Sequence, residues 1–260
     1  HCVSQWGHDF RPAYLKISAL KKHLPQVPFL SLTASATQRV QQDIVTQLNL
    51  SSPVLFKKSF YRENIAYMVF DTEDKLHRLQ QILTKNPGPS IIYVRNRKSC
   101  HDVSQQLSSL GFRATFYHGG LKEKDKNANM QAWLNETAQV IVATNAFGMG
   151  IDKPNVKTVI HIQLPENLEN YYQEAGRGGR NGVKAFAVLL VNTADVKTTQ
   201  NQFIEVLPDK KFLKDVYLKL NTYLKIAYGE GMGDTYPFNY NDFCHKYKFH
   251  TVKTYNALQF

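Results

Sequence analysis

Thr144-Asn145-Ala146-Phe147-Gly148-Met149-Gly150-Ile151-Asp152-Lys153-Pro154 and, further on, Gln173-Glu174-Ala175-Gly176-Arg177-Gly178-Gly179-Arg180 decide how this chain is read. The first stretch follows Val140 to Ala143, an apolar run that reads as a buried parallel strand. The second closes a helical pattern that starts near Asn167. Glycines let a backbone approach a ligand with no Cβ in the way. Arg177 and Arg180 stand three residues apart, so on a helix they project from neighbouring positions of one face. Guanidinium is a permanently charged planar fork that matches phosphate oxygens two at a time. An arginine pair on a glycine-rich loop therefore points to a nucleotide phosphate, met where a transition state gathers negative charge. The plainer reading of the same residues is a basic surface loop, and their glycine spacing is not that of a dinucleotide fingerprint.

Working outward, strands and helices alternate from Ser90 onward. Strands are expected at 90–94, 112–116, 140–143, 158–162 and 185–191. Helices are expected at 98–110, with Val103, Leu107 and Leu110 inward and Gly111 as the cap, and at 122–134, with Met130, Trp133 and Leu134 on the core side. Such alternation means a parallel sheet covered by helices on both faces, and ligands of such sheets gather outside the carboxyl ends of the strands. Arg95, Asn96, Arg97, His118, Thr144 and Asn145 all fall just after strand ends and are candidates for a nucleic acid backbone; each is equally readable as an exposed loop residue. Asp152 either orients an arginine, holds a ribose hydroxyl or caps the turn before Pro154. Before this block, 27–33 reads as a short buried strand and 37–50 as an amphipathic helix with Val40, Ile44 and Leu48 inward. After Asn192, 210–228 is helical with Phe212, Val216, Leu220 and Leu224 inward. Residues 241–247 and 251–260 read as two short helices, either the start of a winged helix with Lys253 and Tyr255 toward phosphates or an aromatic-cored bundle.

The 260 residues suffice for one large or two ordinary domains, and 43% hydrophobic content suffices for packed cores. Thirty-two Lys and Arg against 21 Asp and Glu leave a net charge of +11, which favours a polyanionic partner over none. No apolar run approaches the ~20 residues of a membrane span, so no membrane partner is expected. Cys2, Cys100 and Cys244 form no Cys-x-x-Cys pair and suit a reducing, cytoplasmic setting. Cys244, His245 and His250 match no common zinc spacing, and no zinc is expected.

Five blocks, in order, give the chain a specific resemblance. The run from His1 to Pro12 resembles the end of a DEAH motif entering an aromatic-rich loop. Leu32-Thr33-Ala34-Ser35-Ala36-Thr37 resembles motif III, and Ile91-Ile92-Tyr93 through Arg97 and Cys100 resembles motif IV. The two opening stretches resemble motifs V and VI. Together they resemble superfamily two helicases, most closely the RecQ type. The resemblance is dense over about the first 190 residues and weak over the last 70. It implies an α/β fold: a second RecA-like motor lobe at 64–192, a parallel sheet flanked by helices. A partial first lobe at 1–55 precedes it across a hinge at 56–63. A mostly helical, partly winged-helix-like segment at 193–260 follows. It implies an ATP-dependent 3′-5′ DNA helicase, with ATP and Mg²⁺ between the lobes and single-stranded and duplex-junction DNA as partner; a nucleoid association follows if the source is bacterial.

The resemblance also assigns residues. Arg180 is the arginine finger with Arg177 alongside; Gln173 supports the nucleotide, and Asp152, Gly150 and Gly176 join these in cofactor binding. His1 is the last letter of the DEAH box. Trp6, Phe10 and Arg11, on the loop that in this family couples DNA contact to hydrolysis, suit base stacking and backbone contact. The hydroxyls of motif III link nucleotide to second lobe, or else cap a helix. Asn181 stands where the family usually has Asp, which removes a charge beside Arg180. No Gly-x-x-x-x-Gly-Lys-Ser/Thr loop occurs. The chain is accordingly expected to be cut inside the first lobe, with the Mg²⁺ ligands outside it, and to be inactive alone. A binding module without catalysis, or a helicase acting on RNA, is the alternative.

Overall fold

A computed structural model describes residues 3, 12–33, 36–57, 59, 61–148, 151–227 and 229–259. Two compact units emerge, one built on Asp74–Leu189 with the chain up to Phe70, the other on Asp71–Glu73 and Leu190–Phe260.

In the first unit a 3₁₀ helix (Pro12–Ala19), α1 (Leu20–His23) and α2 (Gln38–Gln47) precede the sheet. Then follow β1 (Ile65–Asp71), α3 (Lys75–Lys85), β2 (Ser90–Tyr93), α4 (Arg97–Ser109), β3 (Ala114–Tyr117), α5 (Glu123–Leu134), β4 (Val140–Ala143), β5 (Thr158–His161), α6 (Leu168–Ala175) and β6 (Ala185–Val191). The strands lie in the order β1-β6-β5-β2-β4-β3. The four pairings from β6 across to β3 are parallel, with Ile91 opposite both Ile141 and Val159. Every residue of β2, β4 and β5 is buried, as expected for strands covered on both faces, whose sequences run apolar without alternation. Helix α4 is capped at its start by Asn96, whose side chain accepts from Ser99 N at 2.8 Å, and its last residue is Ser109, with Leu110 and then Gly111 following. Trp133 on α5 is fully buried; its indole donates to the Ser90 carbonyl at 3.1 Å, which satisfies the one polar atom that its burial would otherwise strand.

The connection from β4 to β5 governs the site. It must carry the chain across β2, from one side of the sheet to the other, and no helix forms among its described residues. Phe147 and Val156 fill the place of a helix face, packed with Trp133, Ile141 and Val159. Phe147 meets Tyr117 and Trp133 at ring separations of 5.0 and 5.5 Å. Lys153 is buried as well, 6% exposed; its ammonium donates to the Leu134 carbonyl at 2.9 Å and to Glu136 at 3.0 Å. Asn155 binds the same Glu136 oxygen at 2.8 Å. These two donors, Asn155 first, hold the Glu136 carboxyl below its usual range.

Two expectations fail here. Residues 27–33 form no strand: Leu30 and Leu32 are 79% and 83% exposed, and no described strand offers this run its hydrogen bonds. Leu110 is exposed rather than inward, because α4 ends one residue earlier.

In the second unit Asn192 and Asp195 form a capping box that opens α7 (Thr193–Phe203). Helices α8 (Lys210–Leu224), α9 (Tyr240–Tyr247) and α10 (Thr251–Ala257) enclose Val216, Phe243, Cys244 and Ala257, with Phe212 and Phe249 against them. Lys253 lies over the Phe212 ring at 5.1 Å, and His250 Nδ1 caps α10 by accepting from Lys253 N at 3.3 Å. Helices α9 and α10 are joined by a tight turn and share an aromatic core with α8, an arrangement common to both readings of this segment.

Candidate functional site: the arginine loop and the strand ends

Helix α6 begins at Asn167, whose side chain accepts from Asn170 N at 2.7 Å, and ends at Ala175 with Gly176 as its cap. Arg177 and Arg180 consequently lie beyond the helix, in turns, and do not share a helical face. What orders them is the β4–β5 connection, laced to their loop by side chains and backbone alike. Arg177 Nη1 donates to the Gly148 carbonyl at 2.6 Å, and Arg180 Nη1 donates to the Ile151 carbonyl at 3.1 Å. Gly179 N donates to the Val156 carbonyl at 2.9 Å and Asn181 N to that of Pro154 at 3.0 Å.

The two arginines differ in commitment. Arg177 is half-buried, its Nε enclosed without a hydrogen-bond partner, and its guanidinium lies beside the Tyr93 hydroxyl. Burial raises the Tyr93 pKa, and the cation beside it opposes that rise. Tyr93 stacks on His161 at 5.2 Å, and His161 Nε2 meets Glu174 at 2.8 Å, so a buried chain of contacts links α6 to the centre of the sheet. Arg180 reaches Asp152 Oδ1 at 2.8 Å, with the Asp152 side chain 83% exposed and that of Arg180 36%. An ion pair this exposed contributes about 0–1 kcal/mol, so an incoming phosphate can displace it. Of the three roles open to Asp152, orienting an arginine is the one its hydrogen bond matches. Gln173 is exposed on α6, one turn before Arg177.

The nucleic-acid candidates converge on one edge. Because β5, β2, β4 and β3 are adjacent and parallel, the residues after each strand share that edge. Arg95 donates Nε to the Leu164 carbonyl at 2.8 Å, tying the loop after β2 to the loop after β5. Asn96 caps α4 and Thr144 is buried in the turn that accepts Phe147 N, so both have structural work of their own. Arg97 and Asn145 are exposed; the Arg97 guanidinium lies against Gly120. His118 Nδ1 is buried without a partner, and burial, then Arg97, hold its pKa below the usual 6.5. Thr37 accepts from Val40 N at 3.4 Å and so caps α2. His1, Trp6, Phe10, Arg11 and Gly150 lie outside the described residues. No cluster of three or more His, Cys, Asp or Glu able to hold a metal occurs among the described residues, and no described helix is long and apolar enough to cross a membrane.

Sequence reasoning passes over Tyr93, His161, Glu174 and Lys153, and also Arg62 and Asn64, which bond to the arginine loop from just before β1. A polar residue within an otherwise apolar strand, as in Thr-Val-Ile-His, is the available signal for His161. Nothing local marks Arg62.

Residues 74–182 match the helicase conserved C-terminal domain. The chain is 43% identical to the RecQ-like DNA helicase BLM of Xenopus laevis over 201 residues, 75% of this chain and 15% of that protein. It is 42% identical to the ATP-dependent DNA helicase RecQ of Pasteurella multocida, over 75% of this chain and 31% of that protein. With the probable ATP-dependent DNA helicase RecS of Bacillus subtilis it shares 41%, over 79% of this chain and 42% of that protein. The chain thus spans between 15% and 42% of the length of these relatives. In fold it resembles Saccharomyces cerevisiae Dbp5 bound to RNA and ADP BeF3, with a TM-score of 0.58 at 22% identity, covering 76% of this chain and 54% of that one. Residues 74–182 thus carry the match to the helicase conserved C-terminal domain, and over about three quarters of its length the chain is similar to RecQ-type DNA helicases.

Proposed function

We propose that residues 64–192 are the second motor lobe of an ATP-dependent 3′-5′ DNA helicase, joined at 56–63 to a first lobe of which 1–55 are part, with 193–260 as an accessory helical unit. The observation that carries the reading is Arg180: a guanidinium fixed at one nitrogen by a carbonyl and a displaceable carboxylate, on a loop laced to the β4–β5 connection. Its Nη2 and Nε have no hydrogen-bond partner among the described residues and are the donors a phosphate would take. Arg177, enclosed against Gly148 and Tyr93, supports the same loop. Bound ATP supplies the phosphoryl group whose transfer to water drives the motor, and Mg²⁺ neutralises part of its charge; the metal's ligands belong to the first lobe. Gln173, Asp152, Gly150 and Gly176 complete this lobe's wall. Arg95, Arg97, His118 and Asn145 contact the DNA backbone, with Asn96 and Thr144 holding their loops in place. Trp6, Phe10 and Arg11 add stacking and backbone contacts to single strands. The net charge of +11 suits a DNA partner, single strands and duplex junctions among its forms. The setting is cytoplasmic, nucleoid-associated in a bacterium.

A tailed duplex tests the reading. The full-length protein should unwind a duplex carrying a 3′ single-stranded tail, in the presence of ATP, and leave a 5′-tailed one intact. This chain alone, which has no phosphate loop, should bind DNA without turning over ATP. Unwinding from the 5′ tail, or ATP turnover by the chain alone, contradicts the proposal.

A further inference from the structure

The arginine loop is held from a second side, by residues that stand just before β1. Arg62 Nη1 donates to the Gly176 carbonyl at 3.4 Å, and Nη2 to those of Gly178 and Gly179 at 3.4 and 3.0 Å. Asn64 Nδ2 donates to the Gly179 carbonyl at 2.6 Å and to that of Val183 at 2.9 Å, and Arg62 also reaches Asn64 Oδ1 at 3.5 Å. The backbone of Asn64 is itself fixed, since its carbonyl accepts from Ala185 N at 2.8 Å. Gly179 adopts φ +54, and a Cβ there would lie 2.5 Å from Asn64 Nδ2 and 2.6 Å from the Val183 carbonyl oxygen. The loop is glycine at this point because the clasp closes on it.

The bonded carbonyls are those on either side of Arg177 and immediately before Arg180. Fixing them fixes the peptide planes from which both guanidinium groups depart. We infer that Arg62 and Asn64 are positioning residues for the arginine loop, and that a displacement of the chain entering the clasp at Arg62 is passed through them to Arg180. The inference rests on the ATPase reading above. If 56–63 joins two lobes, movement between the lobes pulls on the arginine that completes the nucleotide pocket.

The test is a mutant cycle in the full-length protein, measured as DNA-stimulated ATP turnover. Arg62→Ala should lower kcat by about tenfold to a hundredfold, the loss expected from misplacing a catalytic group by about 1 Å. It should leave KM for ATP within about twofold. Arg180→Ala should lower kcat further, by about a thousandfold or more. If Arg62 acts through Arg180, the double variant is no slower than Arg180→Ala. Arg62→Lys, which keeps the charge but cannot span three carbonyls, should fall between wild type and Arg62→Ala, and it carries the cycle if the alanine variant does not fold. Hydrogen exchange gives a readout independent of activity: the amides of Gly179 and Asn181 should exchange faster in either Arg62 variant while those of β2 and β4 stay protected. A wild-type kcat in Arg62→Ala, additive losses in the double variant, or unchanged exchange at Gly179 overturns the inference. A wild-type protein without ATPase activity sinks the functional reading instead, and the exchange measurement still decides the clasp.

Discussion

Gly148→Ala isolates the contact that seats the first of the two arginines. Gly148 adopts φ +143, a conformation L side chains rarely take, and a Cβ there would lie 2.1 Å from Arg177 Nη2 and 2.3 Å from Cζ. The arginine is the flexible party and will move. Two terms then add. Holding alanine at this backbone angle disfavours the folded lobe by about 1–3 kcal/mol. Losing the 2.6 Å charged hydrogen bond to the Gly148 carbonyl removes about 1.5–3 kcal/mol more. Together they come to about 2.5–6 kcal/mol, a large part of the ~5–15 kcal/mol that holds a domain folded. Arg177→Ala, which removes only the second term, should lose about 1.5–3 kcal/mol. The assay is native-state hydrogen exchange at the amides of β2 and β4, which reports the opening free energy of this lobe whatever the second unit does. The expected order is wild type, Arg177→Ala, Gly148→Ala, from slowest exchange to fastest. A Gly148→Ala variant within about 0.5 kcal/mol of wild type, the range of a neutral surface change, would show that neither the backbone angle nor the arginine seat matters.

Other outcomes follow from the same contacts. Lys153→Ala leaves the Leu134 carbonyl without its donor and should destabilise the lobe by about 2–3 kcal/mol in the same exchange assay. Glu136 has a lowered folded pKa, so its contribution is present above the reference value of 4.5 and is lost as pH falls through the folded value; the stability step below pH 4.5 should shrink in Glu136→Gln. His118 also has a lowered folded pKa, so stability linked to it is present above 6.5 and declines as pH falls through the folded value. Its ring resonances should titrate below 6.5 and move up when single-stranded DNA brings a phosphate close; no movement removes His118 from the interface. Arg97→Ala should weaken DNA binding across sequences and reduce the slope of log affinity against log salt by about 1.

Much of this lobe is legible in the amino-acid sequence alone. Central strands of a parallel sheet show no polar–apolar alternation, so β2, β4, β5 and β6 announce themselves within a residue or so. Gly111 follows α4 where the sequence places it, whereas Asn96, read there as a nucleic-acid candidate, is the residue that caps its start. The glycine–arginine loop is legible because its chemistry is carried by residue type. What stays hidden is what depends on contacts distant in sequence. Strand β1 is an edge strand whose apolar run from Ile65 to Phe70 is exposed in its middle, and nothing in that run signals its pairing. Arg62 lies in an aperiodic basic stretch, and its partners are 114 to 117 residues away. Lys153 looks like one more charge in a phosphate-reading loop, yet burial turns it into a brace for the crossing connection. The run 27–33 shows the opposite error: apolar and β-branched residues suit a strand, but a strand forms only against a neighbour.

The functional reading turns on Arg180 meeting a nucleotide held by another lobe. Steady-state ATP turnover of the full-length protein with saturating single-stranded DNA, compared between wild type and Arg180→Ala, puts this to the sharpest test. Turnover should fall by about a thousandfold or more while the affinity for ATP, measured by fluorescent-nucleotide titration, is retained. An Arg180→Ala protein that hydrolyses ATP at the wild-type rate would remove the arginine from the nucleotide pocket.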